Sequence, residues 1–172
     1  PLDDPNFDRS VVYVIDHNDD GAIGVIINRP LADPDLDPIS RWMDSLTEPP
    51  VVFNGGPVDP AALIALGVTE HSTTLDIDGA VQIADRVWSI DLAGDPALIA
   101  PHFAGVRIFS GYAGWSSGQL EAEIDAGGWI VVTAETNDLF GNQPDGLWRR
   151  VLQRQPPPVS WLANAPSDVN LN

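Results

Sequence analysis

The chain contains no cysteine and no lysine, with one methionine and three histidines among its 172 residues. Without cysteine there is no disulfide, no thiolate nucleophile and no sulfur-ligated metal, a composition that fits a reducing cytosol. Without lysine there is no P-loop, which requires that side chain after its last glycine. No run of apolar residues approaches the roughly 20 that a membrane-spanning helix needs. Eight arginines face 25 Asp and Glu, for a formal net charge of −17. Duplex binding requires clustered basic side chains to neutralise phosphates. The only local group here is Arg149, Arg150 and Arg154 on one short predicted helix, the pattern of a solvated face. Direct nucleic-acid binding is therefore disfavoured, and the acidity suits solubility or a basic partner.

The apolar share is 44%, with six tryptophans, enough for an ordinary core in a chain of this length. Punctuation by Gly and Pro predicts one α+β domain over residues 1–155 and a proline-led tail over 156–172. Val11–Asp16 and Ala22–Asn28 read as a hairpin closed by the five-residue loop His17-Asn18-Asp19-Asp20-Gly21. Asp37-Pro38 opens a helix whose Ile39, Trp42, Met43 and Leu46 share one stripe. Val51–Phe53 is a short strand entering Asn54-Gly55-Gly56-Pro57. Leu63–Val68 fits either a helix or a buried strand. Strands are predicted over 81–84, 87–92, 106–110 and 129–134, and a short helix over 96–104. Two further helices follow, one opened by a Ser116/Gln119 capping box and one capped by Asp145 and running through Gln153.

Several constellations invite a chemical reading. Gly114-Trp115-Ser116-Ser117-Gly118 matches G-x-S-x-G between a strand and a helix, the context of a nucleophile elbow. In that arrangement the histidine follows the serine, whereas His17, His71 and His102 all precede Ser116, and a helix-capping serine explains the same residue. Asp16 to Gly21 reproduces the opening of a calcium loop, but Ile27 stands where the bidentate Glu belongs, and an Asp/Asn/Gly turn accounts for it. The histidines lack metal-ligand spacing. No metal set and no cofactor motif is present. The remaining candidate is a ligand site built from three loops leaving strands: Asn28 and Arg29, Gly55 and Gly56, and Tyr112 with Trp115. If their strands lie side by side, a guanidinium and two aromatic faces converge with close backbone approach on an anionic or planar ligand. The alternative is that the glycines make tight turns and the aromatics seal the core.

The ordered blocks HNDDGAIGVIINRP, VFNGGPV and GYAGWSSGQLEAEI, with a tryptophan following, resemble the AlgH/YqgE family of bacterial proteins across most of residues 1–154. The resemblance implies a compact α+β fold with a mixed, largely antiparallel sheet carrying several short helices, and a strand for the Leu63 segment. It also implies a cytoplasmic protein without an established biochemical activity, and a strand upstream of Asp3-Asp4-Pro5-Asn6-Phe7. The family's name reflects a proposed role in regulating alginate synthesis, and a transcriptional function has been supposed. Members read Gly-Pro where this chain has Ser116-Ser117, so the family supplies no catalytic serine and no metal ligands. The expected function is a non-enzymatic regulatory or binding module acting through a small ligand or protein partner. The alternatives are an esterase using Ser116 and a direct DNA-binding regulator.

Overall fold

In the computed structural model, residues 4–74 and 76–164 are described, and their strands join into a seven-stranded sheet. β1 (Val12–Asn18) and β2 (Gly21–Ile26) form the first hairpin. The loop is shorter than the sequence predicts, because His17 and Asn18 continue the ladder opposite Ala22 and Gly21, leaving Asp19-Asp20 as the turn. β3 (Phe53–Asn54) and β4 (Val58–Val68) flank the glycine pair, so the Leu63 segment is a strand. Its last four residues are buried, which a β-branched and apolar run tolerates between two neighbours. β5 (Ala80–Gln82) and β6 (Val87–Ile90) form a second hairpin, and β7 (Gly105–Ser116) delivers the glycine- and tryptophan-rich signature.

The strand order is β1-β2-β7-β4-β6-β5, with β3 set parallel against β7. All other pairings are antiparallel, which gives the mixed, largely antiparallel sheet that the resemblance implies. β7 organises the sheet by changing partners along its length. Its first half pairs with β4, while Ala113, Gly114, Trp115 and Ser116 lie opposite Gly24, Ile23, Ala22 and Gly21 of β2. Between the halves Gly111 adopts φ +72, a left-handed conformation that glycine adopts without steric cost. At the same place the Asn54–Gly56 segment crosses close by: Gly55 N–H donates to Ser110 C=O at 2.8 Å, and Ile26 N–H donates to Gly55 C=O at 2.8 Å.

The helices are short. The Asp37–Ser45 segment is a 3-10 helix that buries Ile39 and Trp42, and its place is fixed by Trp42 Nε1 donating to Leu92 C=O at 3.0 Å. α1 (Pro96–Ile99) is capped by Asp95. α2 (Gln119–Asp125), α3 (Thr136–Phe140) and α4 (Leu147–Gln153) follow β7. Both α2 and α4 begin from a left-handed glycine, Gly118 and Gly146, in place of the Ser116 and Asp145 caps that the sequence suggests. Half of the capping box survives, since Gln119 Oε1 accepts from Ser116 N–H at 3.0 Å while Ser116 remains the last residue of β7. The predicted strand at 129–134 is irregular, with Val131 exposed and Thr133 C=O accepting from Arg154. Residues 159–164 form a 3-10 helix with Ala163 buried.

Two main clusters fill the core, one around Val25, Ile27, Phe53, Leu66 and Phe109, the other around Ile39, Trp42, Val52 and Ile108. The most deeply buried charge lies among them. Arg107 is 1% exposed, sits 4.6 Å over the Phe53 ring, and donates to the carbonyls of Glu48 and Gly141. Burial pushes its guanidinium down to about 10, well above neutral, so the charge is retained as a backbone clamp.

Because a Cβ on Gly55 would run into the Gly111 carbonyl oxygen and touch the Phe109 side chain, Gly55→Ala overpacks the crossing. The expected loss is about 1–3 kcal/mol, measured as a lower urea midpoint with unchanged slope.

Candidate functional site

The three loops named from the sequence do approach one another, and the backbone is what joins them. Asn54 N–H donates to Arg29 C=O at 2.8 Å, and Gly55 links β2 to β7. A Cβ at Gly56 would meet the Tyr112 backbone. Asn28, Arg29, Gly55, Gly56 and Tyr112 therefore lie around one crossing. The polar side chains of Asn28 and Arg29 point to the N-terminal segment. Asn28 Oδ1 accepts from Val11 N–H at 2.9 Å, and Asn28 Nδ2 donates to Arg9 C=O at 3.0 Å. The two terminal nitrogens of Arg29 each donate at 2.5 Å, one to Asn6 C=O and the other to Asp8 C=O. Gly55 and Gly56 are buried, and Tyr112 is half-buried against the first core cluster.

Trp115 belongs to a different neighbourhood, at the far end of β7 opposite Ala22. It is 7% exposed and stacks on Phe7 with ring centroids 6.3 Å apart. Trp129 meets both rings edge-on, at 5.2 Å from Phe7 and 5.8 Å from Trp115. One carboxylate ties the group together. Glu123 Oε2 accepts from Trp115 Nε1 at 3.0 Å and from Trp129 Nε1 at 2.7 Å, while Glu123 Oε1 accepts from Gln119 Nε2 at 2.9 Å. Burial is the largest single influence on this carboxyl and raises its pKa. The bonds from Trp129, Gln119 and Trp115 together outweigh it, so the pKa is held below the usual carboxylate value despite the repulsion of Asp4. Sequence reasoning passed over Glu123. Its position one helical turn after Gln119, between two tryptophans, was the available signal.

The tip of the β1–β2 hairpin is fastened to the same turn. Ser117 Oγ donates to Asp19 C=O at 2.5 Å, and His17 Nε2 lies 2.6 Å from Glu121 Oε1. Glu121 is held below its ordinary pKa first by its own backbone N–H and then by His17. Ser116 is exposed, and its hydroxyl donates to Gln119 Oε1 at 3.1 Å. The histidine of this rim is thus engaged by Glu121, and both serine hydroxyls are engaged elsewhere. A shallow, open depression of about 220 Å³ lies at the hairpin tip, lined in part by Asp16, Asn18, Asp20 and Trp115. Among the described residues no group of three or more His, Cys, Asp or Glu is arranged to hold a metal ion, and no helix is long and apolar enough to cross a membrane.

Glu123→Ala removes the shared acceptor of two indoles and is expected to cost about 1–3 kcal/mol, with a red-shifted tryptophan emission spectrum as the readout. The sign of the pH effect follows from the depressed carboxyl. Its stabilisation is complete above the unfolded pKa of about 4.3 and is lost as pH falls through the lower folded value. Acid titration of stability in Glu123→Gln is therefore expected to be flatter below about pH 4.3 than in the parent chain.

Comparison with known proteins places this arrangement. The AlgH-like family model matches residues 1–160. A UPF0301 protein of Nocardia farcinica is 44% identical, the alignment covering 99% of this chain and 80% of that one. A UPF0301 protein of Streptomyces avermitilis is 42% identical over 99% of this chain and 90% of its own. Among solved structures, a crystal structure of a protein from Corynebacterium diphtheriae superposes with a TM-score of 0.86 at 29% identity, covering 95% of this chain and 86% of that one. The solution structure of the AlgH protein from Pseudomonas aeruginosa gives a TM-score of 0.66 at 28% identity, covering 96% and 88%. With the family model matching residues 1–160 and relatives at 44% and 42% identity over 99% of its length, the chain belongs to the AlgH-like family.

Proposed function

We propose that the chain is a non-enzymatic regulatory module of the cytoplasm that acts by binding a protein partner with a positively charged surface. The observation that carries this reading is how the arginines are used. Arg29, Arg41, Arg86, Arg107 and Arg150 all direct donors to backbone carbonyls. Arg154 pairs with Asp138 at 2.5 Å, with Glu135 beside it. Most of the 25 acidic residues are exposed, on a surface whose cations are mainly engaged in holding the backbone. A field of one sign attracts a basic protein and repels phosphate.

The same field weighs against direct DNA binding, so a transcription-related role is routed through another protein. The esterase reading has less support, since the Ser116 hydroxyl is bonded to a glutamine rather than to a histidine. Of the six candidate residues, Asn28, Arg29, Gly55, Gly56 and Tyr112 keep a ligand role only in a rearranged state of the crossing, with their present bonds as the barrier to it, and Trp115 lies apart from them at the far end of β7.

Three measurements test the proposal together. Affinity purification from a bacterial lysate at about 0.15 M salt is expected to retain a basic protein in fixed stoichiometry, weakened but not abolished at about 0.5 M. A labelled duplex is expected to show no retention at about 0.15 M salt. A serine-reactive fluorophosphonate is expected to leave Ser116 unlabelled. Specific duplex retention, or robust turnover across a hydrolase and transferase panel, overturns the proposal.

A further inference from the structure

Among the described residues, β5 is the last strand of the sheet and has a neighbour, β6, on one side only. Its register settles which backbone groups face outward. Asp91 N–H donates to Gly79 C=O and Ile83 N–H donates to Val87 C=O, with Val81 opposite Ser89 midway between them. In an antiparallel ladder hydrogen-bonded pairs alternate with unbonded ones, so Val81 turns its backbone toward β6 while Ala80 and Gln82 turn theirs to the open edge. Ala80 N–H is taken by Ile77 C=O at 3.0 Å. What remains among the described residues is Ala80 C=O together with the N–H and C=O of Gln82, one acceptor followed by a donor and acceptor, the pattern with which an added strand pairs.

Two further features share this edge. An open trough of about 710 Å³ lies against the β5–β6 hairpin, its lining including Val81 and Ser89 together with Asp76, Asp78 and Asp91. Val81 is 68% exposed, an apolar side chain that a β-edge ordinarily replaces with charge. Arg41 reaches this end of the hairpin, but its guanidinium donates to the carbonyls of Leu92, Ala93 and Gly94 rather than to the carboxylates. A strand edge, one exposed valine and three carboxylates thus coincide at the β5–β6 hairpin and the residues flanking it.

We infer that the β5 edge is the docking surface for an extended, positively charged segment of a partner protein, which adds to the sheet as a strand beside Ala80–Gln82. Alternation along a strand places one set of its side chains over Val81 and the trough, and apolar residues fit there. The flanking positions meet Asp76, Asp78 and Asp91 and take arginine or lysine. A short, charge-complementary edge of this kind gives modest affinity and reversible binding, which suits a regulatory contact. The inference rests on the proposed function and assigns its surface.

The probe is a capped peptide of eight residues alternating arginine and valine, titrated into the full chain at low salt and followed by NMR amide shifts and hydrogen exchange. Its controls are the same peptide with alternate amides N-methylated, which keeps the charge and blocks pairing, and an alternating glutamate and valine peptide. The expected result is slowed exchange at the Gln82 amide, shifts confined to residues 76–91, and at least about a tenfold weaker affinity for the N-methylated peptide and for Val81→Arg. Gln82→Pro, which removes the outward donor, is expected to weaken binding similarly while the fold is checked by its amide spectrum. Equal binding of the N-methylated peptide, with shifts spread over the acidic surface, overturns this docking site and leaves the proposed function standing. Failure of both arginine peptides to bind anywhere overturns the docking site and the proposed function together.

Discussion

The close passage of the Asn54–Gly56 backbone across β7 is the constraint on which the rest of this fold depends. At that crossing β2, β3, β4 and β7 meet, and three of the four exchange main-chain hydrogen bonds through Gly55 or its neighbours. Backbones approach this closely only where no Cβ intervenes, and Gly55, Gly56 and Gly111 supply that clearance. The bend at Gly111 then lets one strand serve two sets of partners, so that the core clusters lie on one half of β7 and the tryptophan turn on the other.

Acidic surfaces usually temper their charge with salt bridges, yet here the arginines mostly tie loops together through carbonyls. Arg41 gathers three successive carbonyls after β6, and Arg29 holds the N-terminal segment onto the end of β2. Guanidinium suits this role because its planar fork presents several donors at fixed angles, and a chain without lysine places all its side-chain cations outside histidine in that form. Arg107 carries the same use into the core, where one charge closes two loops over Phe53. The consequence is an outward field of one sign.

Much of the fold was legible along the chain, element by element. The first hairpin, the Asp37 helix, the strand entering the glycine pair and the last helix through Gln153 all follow from periodicity and punctuation. The errors lie at element ends and in one whole segment. Ser116 and Asp145 looked like caps because their side chains suit that role, but Gly118 and Gly146 could take the left-handed conformation and did so. Residues 129–134 had strand composition without a strand beside them, and ladder partners are not encoded in a local window. For the candidate site, the convergence of the Asn28, Gly55 and Tyr112 loops was readable from their order. That Asn28 and Arg29 would turn to the N-terminal segment, and Trp115 to Glu123, was not.

The sequence by itself determined the family, the class of fold, the absence of cysteine and lysine chemistry, and the sign of the surface field, because each is a property of composition or of ordered local motifs. Tertiary structure alone decided which side chain each donor would find. Glu123 reaching two indoles, Arg107 closing two loops and β5 standing at an open edge all depend on segments far apart in the chain being packed together, and no spacing along the sequence specifies that.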